Sequence, residues 1–284
     1  MSSLKTAIRE IFLGFFMIIA VFIWYGVWAE EQGELLTIAF LDVGQGDAIF
    51  IETPGGKQVL IDSGPNKKVL RELAKQMPFY DRSIDMIIMT HPDSDHIGGF
   101  PAILESYTIG IVLESGVTCK NSICDELDRL LEEKNLEKKI AQRGTVINLG
   151  SDVYLDILFP DREAVNFETN LASLVIKVVY KDNSFLLTGD SPKGIEEYLL
   201  SLDSSDLDVD VLKLGHHGSK TSSSQFFMGF VSPEVVVISV GAGNRYGHPH
   251  QEVLDILDNF EIGILRTDQK GTIVIKSDGD DLFY

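Results

Sequence analysis

The chain has 284 residues, 44% of them hydrophobic, enough to bury one large core or two modest ones. With 43 acidic against 24 basic residues it carries a formal charge of −19, which argues against a binder that grips nucleic acid through a broad basic face. No internal period of repeat-protein length is visible, so a solenoid is excluded.

Ile11 to Ala29 is an uncharged run of 19 residues, about 28 Å as a helix and long enough to cross a bilayer. The apolar region of a signal peptide is shorter, roughly 7–15 residues, so the length favours a retained single-pass anchor. Val27-Trp28-Ala29 leaves a poor cleavage site as the alternative. Lys5 and Arg9 precede the run and Glu30, Glu31 and Glu34 follow it. By the positive-inside rule the amino terminus is then cytoplasmic, and the rest of the chain lies outside the cell membrane. Residues 1–34 are expected to be stub, anchor and linker, and residues 35–284 the folded body.

That body opens with three short strands, Leu36 to Val43, Ala48 to Glu52 and Gln58 to Asp62, linked by the glycine turns Gly44-Gln45-Gly46-Asp47 and Pro54-Gly55-Gly56. No helix opens directly after either turn in the way a nucleotide-binding loop requires. Asp62 is either a helix cap for Asn66 onward or a group that supports the site from behind. Ile84 to Met89 reads as a buried strand that ends at Thr90 and delivers the loop HPDSDH, residues 91–96. Two imidazoles and two carboxylates in six positions resist burial unless something positive sits among them. The mix of hard oxygens and borderline nitrogens suits a divalent transition metal better than calcium or a thiolate zinc site.

A helix from Ile97 to about Glu105, a strand at Ile109 to Leu113 and a charged, solvated helix from Asp125 to Leu136 follow. Strands are then expected at Thr145 to Leu149, Val153 to Phe159, Leu171 to Tyr180 and Phe185 to Thr188, and the last ends in Gly189-Asp190. From there strand and helix alternate: a helix at Ile195 to Leu202, a strand at Val209 to Leu214, a helix at Gln225 to Val231, a strand at Val235 to Ser239 and a helix at Glu252 to Phe260. Short strands at Ile264 to Arg266 and Thr272 to Ile275 close the chain. Hairpins early and alternation late imply two mixed sheets packed face to face with helices outside. All six histidines, His91, His96, His216, His217, His248 and His250, fall in three loops that each follow a strand-like apolar run. Histidines kept for packing or solubility would be scattered. Loops at strand ends are where α/β folds build their sites.

Taken with their order, the stretches LDVGQGDAIFIETPGG, LIDSG, THPDSDHIGG, NLASLVIKV, FLLTGD, LKLGHHGSKTSSS and ISVGAGNRYGHPH resemble the metallo-β-lactamase superfamily. Within it the chain is similar to the extracytoplasmic domain of ComEC-type competence channels, which take up DNA. The resemblance implies an αββα sandwich of two mixed β-sheets with outer helices, and a site at one edge between the sheets. It implies one or two divalent transition metals, zinc or manganese. Laid on the superfamily's H-x-H-x-D-H loop, the ligands are His91, Asp93, Asp95 and His96, with Asp93 standing where the usual pattern has a second histidine. The bridging carboxylate corresponds to Asp190. Asn170 stands where other members place a further ligand histidine, a gap that His216 or His217 can compensate.

The reaction these residues imply is metal-assisted hydrolysis of a phosphodiester, with DNA as substrate and a membrane channel as possible partner. Asp95 would orient or deprotonate the attacking water, and His217 or His248 would protonate the leaving oxygen. Ser219, Lys220, Thr221 and Ser222 form a phosphate cradle, with Arg245 as a second cation and Asn170 nearby. The rival readings are a hydrolase of the same fold for a small phosphoester, lactone or thioester, and a noncatalytic surface-binding domain. Cys119 and Cys124, the only cysteines, enclose four residues. In an oxidising space they would be joined, stabilising the fold by about 2 kcal/mol at most. Two free thiols in a polar loop are the alternative.

Overall fold

The computed structural model describes residues 2–32, 35–203 and 207–284. Helix α1 (Ser2–Gln32) contains the segment Ile8–Gly26, which is long and apolar enough to cross a membrane and is not buried against the other described residues. The side chains of Lys5, Glu30 and Glu31, and all of Glu34, lie outside the described set.

Two mixed sheets form the body. The first has the order β15-β14-β1-β2-β3-β4-β5-β6, in strands β1 (Leu36–Phe40), β2 (Ile49–Glu52), β3 (Gln58–Ile61), β4 (Ser83–Met89), β5 (Thr108–Glu114), β6 (Lys138–Ile140), β14 (Ile273–Ser277) and β15 (Leu282–Phe283). The second has the order β13-β12-β11-β10-β9-β8-β7, from β7 (Val146–Gly150), β8 (Val153–Phe159), β9 (Val175–Tyr180), β10 (Asn183–Leu187), β11 (Val211–Lys213), β12 (Val235–Ile238) and β13 (Gly263–Arg266). Pairing is parallel from β3 to β6 and from β10 to β13, and antiparallel elsewhere. The carboxyl ends of β3, β4, β10, β11 and β12 feed one edge of the sandwich, where α/β folds bind ligands.

Both faces of each sheet are covered, which explains the near-continuous apolar runs. Ile49 and Ile51 of β2 point between the sheets into the core that also holds Ile157 and Phe185 of the second sheet, while Phe50 points outward with Leu60. The outward face of the first sheet packs on α2 (Lys68–Leu73), α4 (Phe100–Ser106) and α5 (Ser122–Glu133). That of the second packs on α6 (Lys193–Asp203), α7 (Gln225–Val231) and α8 (Gln251–Asn259). The result is the expected αββα sandwich.

The local differences from the sequence reading have plain causes. Strand β9 starts at Val175 rather than Leu171, because Asn170–Ala172 turn as a 3-10 helix that places Ser173 against Asp190. Strand β6 is missed because Lys138, Lys139 and Ile140 are all exposed at a sheet edge, without alternation. Helix α9 (Thr267–Lys270) and β15 are too short to show a period. Asp62 caps no helix: the residue before α2 is Lys67. Cys119 and Cys124 are joined in a disulfide, with Cα atoms 6.1 Å apart.

Because Phe50 is fully buried in the outer layer of a central strand, Phe50→Ala is expected to destabilise the body by about 3–5 kcal/mol. Urea unfolding followed by tryptophan-independent circular dichroism measures this directly.

Candidate metal centre

Strand ends position every group of the centre. Asp62, one residue past β3, has φ 57 and points its carboxylate across to the end of β4. Beyond β4 come Thr90 and His91, and the turn of helix α3 (Ser94–Ile97) carries Asp95 and His96 inward. Gly46 has φ +127, and a Cβ there would collide with the Asp95 carbonyl, so only glycine lets the β1–β2 turn lie against this loop. Asp190 follows β10. His216 and His217 follow β11 with φ 48 and 55, a left-handed pair of the kind that persists where the surroundings over-determine it.

Hydrogen bonds fix the imidazole tautomers. Asp62 accepts from the Thr90 amide at 2.9 Å and the Thr90 hydroxyl at 2.6 Å, and its Oδ2 lies 2.7 Å from His96 Nδ1. Since the Thr90 hydroxyl gives its proton to Asp62, its oxygen accepts from His91 Nδ1 at 3.0 Å. His217 Nδ1 faces the Ser239 carbonyl at 2.9 Å and Asp47 Oδ1 at 3.3 Å, both acceptors. In all three rings Nδ1 is therefore a proton-bearing nitrogen turned away from the centre, and Nε2 is the atom turned towards it, the position a metal can take once any proton there has left.

Those three Nε2 atoms and Asp190 Oδ1 are buried without a hydrogen-bond partner. They converge: His96 Nε2 lies 3.3 Å from Asp190 Oδ1, and His217 Nε2 and His91 Nε2 lie 3.6 and 4.0 Å from Oδ2. Asp95 Oδ2 sits 3.5 Å from His217 Nε2, and Asp93 Oδ2 3.7 Å from His91 Nε2. Groups able to hold a metal ion include His91, His96 and Asp190, and also Asp95, His96 and His217. Buried polar atoms without hydrogen-bond partners are costly where they converge, and a divalent cation that takes the place of any proton on Nε2 satisfies them together, so the donor set fits the metal that the fold binds.

Beneath the ring nitrogens lies an ion pair. Lys213, fully buried, pairs with Asp47 and donates to the Gly189 carbonyl at 3.1 Å. Burial favours a protonated Asp47, yet Lys213 and His217 hold it below the ordinary carboxylate range. Asp190 is likewise buried and is held well down by His217 and His96. Burial disfavours charge on His217, but Asp190 and Asp47 push its pKa up to about 9. His96 is raised in the same way by Asp190 and Asp62, against its burial. His91, buried beside His96, drops to about 3.

The other sequence-derived residues surround this centre. His216 is partly exposed, with Nε2 3.6 Å from Asp190 Oδ2 and Nδ1 3.2 Å from the Thr221 hydroxyl. Of the two neighbouring histidines, His217 is the one wholly buried among the donors. Lys220 and Thr221 are exposed at the rim, and the Lys220 amide donates to His250 Nδ1 at 3.2 Å. Ser219 is buried beside Thr221, 2.9 Å between hydroxyls. Ser222 is fully buried, and its hydroxyl donates to the Gly215 and Ser219 carbonyls, so it braces the loop from inside. The His248 ring packs on His216 and Arg245 is exposed. The Asn170 side-chain oxygen is buried without a partner. Sequence reasoning missed Asp47 and Lys213. An aspartate after Gly-Gln-Gly reads as a turn residue and a single lysine gives no pattern, although a lysine inside the apolar run VLKL is the signal that was available.

The metallo-β-lactamase superfamily model matches residues 41–241, and the chain belongs to that superfamily. Its likeness within the superfamily is to ComEC-type proteins. It is 32% identical over 262 residues to ComE operon protein 3 of Bacillus subtilis (strain 168), covering 86% of this chain and 33% of the relative. It is 30% identical over 258 residues to Competence protein ComA of Neisseria gonorrhoeae, covering 90% and 34%. The chain thus spans about a third of the length of these curated relatives. Among solved structures, the metallo-beta-lactamase fold protein YhfI from Bacillus subtilis superposes with a TM-score of 0.58 over 85% of this chain and 99% of that one. At 11% identity this likeness is one of fold.

A metal entering the centre must displace protons held on His217 and His96. Apparent affinity should therefore strengthen as pH rises towards about 9 and weaken as it falls. Calorimetry in buffers of different ionisation enthalpy should show net proton release at pH 7. A second pH effect comes from Glu196 of α6, which is buried and accepts the amides of Ser223 and Ser224. Burial lifts its pKa from 4.5 to about 7. Between those values the unfolded chain binds fewer protons than the native one, so this group's contribution to stability is full below 4.5 and lost as pH rises through 7. Glu196→Gln should flatten that part of the stability profile, read by denaturant unfolding at several pH values.

Proposed function

We propose that the chain is a membrane-tethered, metal-dependent phosphodiesterase that acts on DNA. The observation that carries this reading is the convergence of buried, unpartnered His91, His96 and His217 Nε2 atoms on Asp190, beside a rim bearing the exposed cations Lys220 and Arg245. His91, Asp93, Asp95, His96, His217 and Asp190 would hold one or two ions, zinc or manganese, with His216 at the open side. Bound there, a divalent metal supplies Lewis-acid stabilisation of phosphoryl charge and lowers the pKa of water.

The chain's own groups do the rest. Asp95 is partly exposed and reaches the centre at His217, so it can orient the attacking water and take its proton. Lys220 and Arg245 neutralise the non-bridging phosphate oxygens at the rim. Burial, together with His217 and His216, lowers the His248 pKa to about 4, so at neutral pH it is uncharged and can offer the leaving oxygen a hydrogen bond, not the full proton that the sequence reading assigned to it. Exposed Thr221 adds a hydroxyl beside Lys220, on a loop that buried Ser222 braces from inside and Glu196 holds from behind. The competence proteins among the relatives support DNA as substrate and a membrane channel as partner. Helix α1 supports a single-pass anchor at the cell membrane, and the basic residues before its uncharged run with the acidic ones after that run support an extracytoplasmic hydrolase body of residues 35–284.

The charge of −19 favours a second reading, a small phosphoester, lactone or thioester as substrate. Hydrolysis of fluorescent DNA, bis-p-nitrophenyl phosphate, a lactone and a thioester by manganese- or zinc-supplemented protein separates the two. Phosphodiester turnover that falls with added salt and with chelation is expected, and ester turnover alone contradicts it. Lys220→Ala should raise KM for DNA by about tenfold, the worth of one charge-assisted contact, while metal content measured by mass spectrometry stays at the wild-type level.

A further inference from the structure

We propose that the loop of residues 241–250, between β12 and α8, is a base-stacking ledge, and that the substrate is therefore single-stranded nucleic acid with an unpaired base beside the scissile phosphate. The proposal rests on the phosphodiesterase reading above. Tyr246 is 49% exposed, and its ring lies near-parallel to His248, 5.7 Å between centroids at 26°. Arg245 lies over the Tyr246 ring at 5.0 Å and donates to its hydroxyl at 2.9 Å. The His248 ring in turn meets His216 at 5.7 Å and His217 at 6.5 Å. A chain of ring contacts, stacked at Tyr246–His248 and edge-on at His248–His216, thus leads from the metal centre out to solvent.

The ledge is built rather than incidental. The Asn244 side chain accepts the amides of Tyr246 and His248 and donates to the carbonyls of Gly241 and His248, so one residue pins both ends of the turn that presents the tyrosine. His248 Nδ1 is buried with no hydrogen-bond partner, a polar atom left open within the stack. The His250 ring packs on His248 at 4.9 Å and takes the Lys220 amide, which ties the ledge to the cationic rim. An aromatic platform next to exposed Lys220 and Arg245 matches the two faces of a nucleotide, base and phosphate.

Duplex bases are paired and stacked on one another, so only an unpaired base can reach such a platform. The acidic charge of the chain fits this as well, because recognition through one base and its phosphate needs no broad basic face.

The test uses the full chain supplemented with manganese and three substrates that each hold one phosphodiester: thymidylyl-thymidine and its two analogues with an abasic sugar on either side. Removing one of the two bases should raise the wild-type KM by about tenfold or more, the typical worth of one stacked base. Tyr246→Ala should raise KM for thymidylyl-thymidine by a similar factor and become blind to that base, whereas Tyr246→Phe keeps the wild-type preference. Equal KM values across wild type, Tyr246→Ala and Tyr246→Phe, with turnover retained, overturn the ledge and leave the phosphodiesterase standing. Absence of phosphodiester turnover alongside turnover of a lactone or thioester overturns the function, and the ledge with it.

Discussion

One carboxylate organises the site. Asp62 is fully buried, and four neighbouring features depend on it: the Thr90 amide, the Thr90 hydroxyl, the His96 ring and, through that hydroxyl, the His91 ring. It is the residue at which β3 hands over to the metal loop of β4, so strand pairing and tautomer choice are set together. Burial raises its pKa, and the hydrogen bonds from His96 and Thr90 work in the opposite direction. A buried acceptor with this many donors turns a flexible HPDSDH loop into a rigid array of lone pairs.

A second buried charge pair keeps that array from collapsing. Asp47 stands close to both His217 and His96 and would draw a cation for itself if it were unpaired. Lys213 occupies it from below and also satisfies the Gly189 carbonyl, next to Asp190. The two sheets meet at this pair, since Asp47 comes from the β1–β2 turn of one and Lys213 from β11 of the other. Breaking either partner would leave an uncompensated charge in the interior.

What could be read in the sequence follows from which residues carry period or clustering. The strands around the centre announced themselves as apolar runs, and the histidines as three clusters at strand ends, because a sandwich with both sheet faces covered concentrates polar chemistry at its edge. Asp62 could be narrowed to two roles, and only tertiary contact with Thr90 and His96 decided between them. His216 and His217 are adjacent and chemically equal in sequence, and the left-handed backbone at both residues buries one and leaves the other at the rim. Lys213, Tyr246 and Asn244 matter through neighbours distant in the chain, which spacing does not reveal.

Fold and site together describe a member of the superfamily whose candidate metal donors are oriented from behind by Asp62, with the loops after β11 and β12 as the proposed substrate face. The most direct test is equilibrium metal affinity of Asp62→Asn against wild type, by competition with a chromophoric chelator, with circular dichroism confirming the fold. Loss of the carboxylate frees the tautomers of His96 and His91 together, and the account predicts manganese and zinc binding weakened by about 10–100-fold. A folded Asp62→Asn protein with wild-type affinity would contradict it.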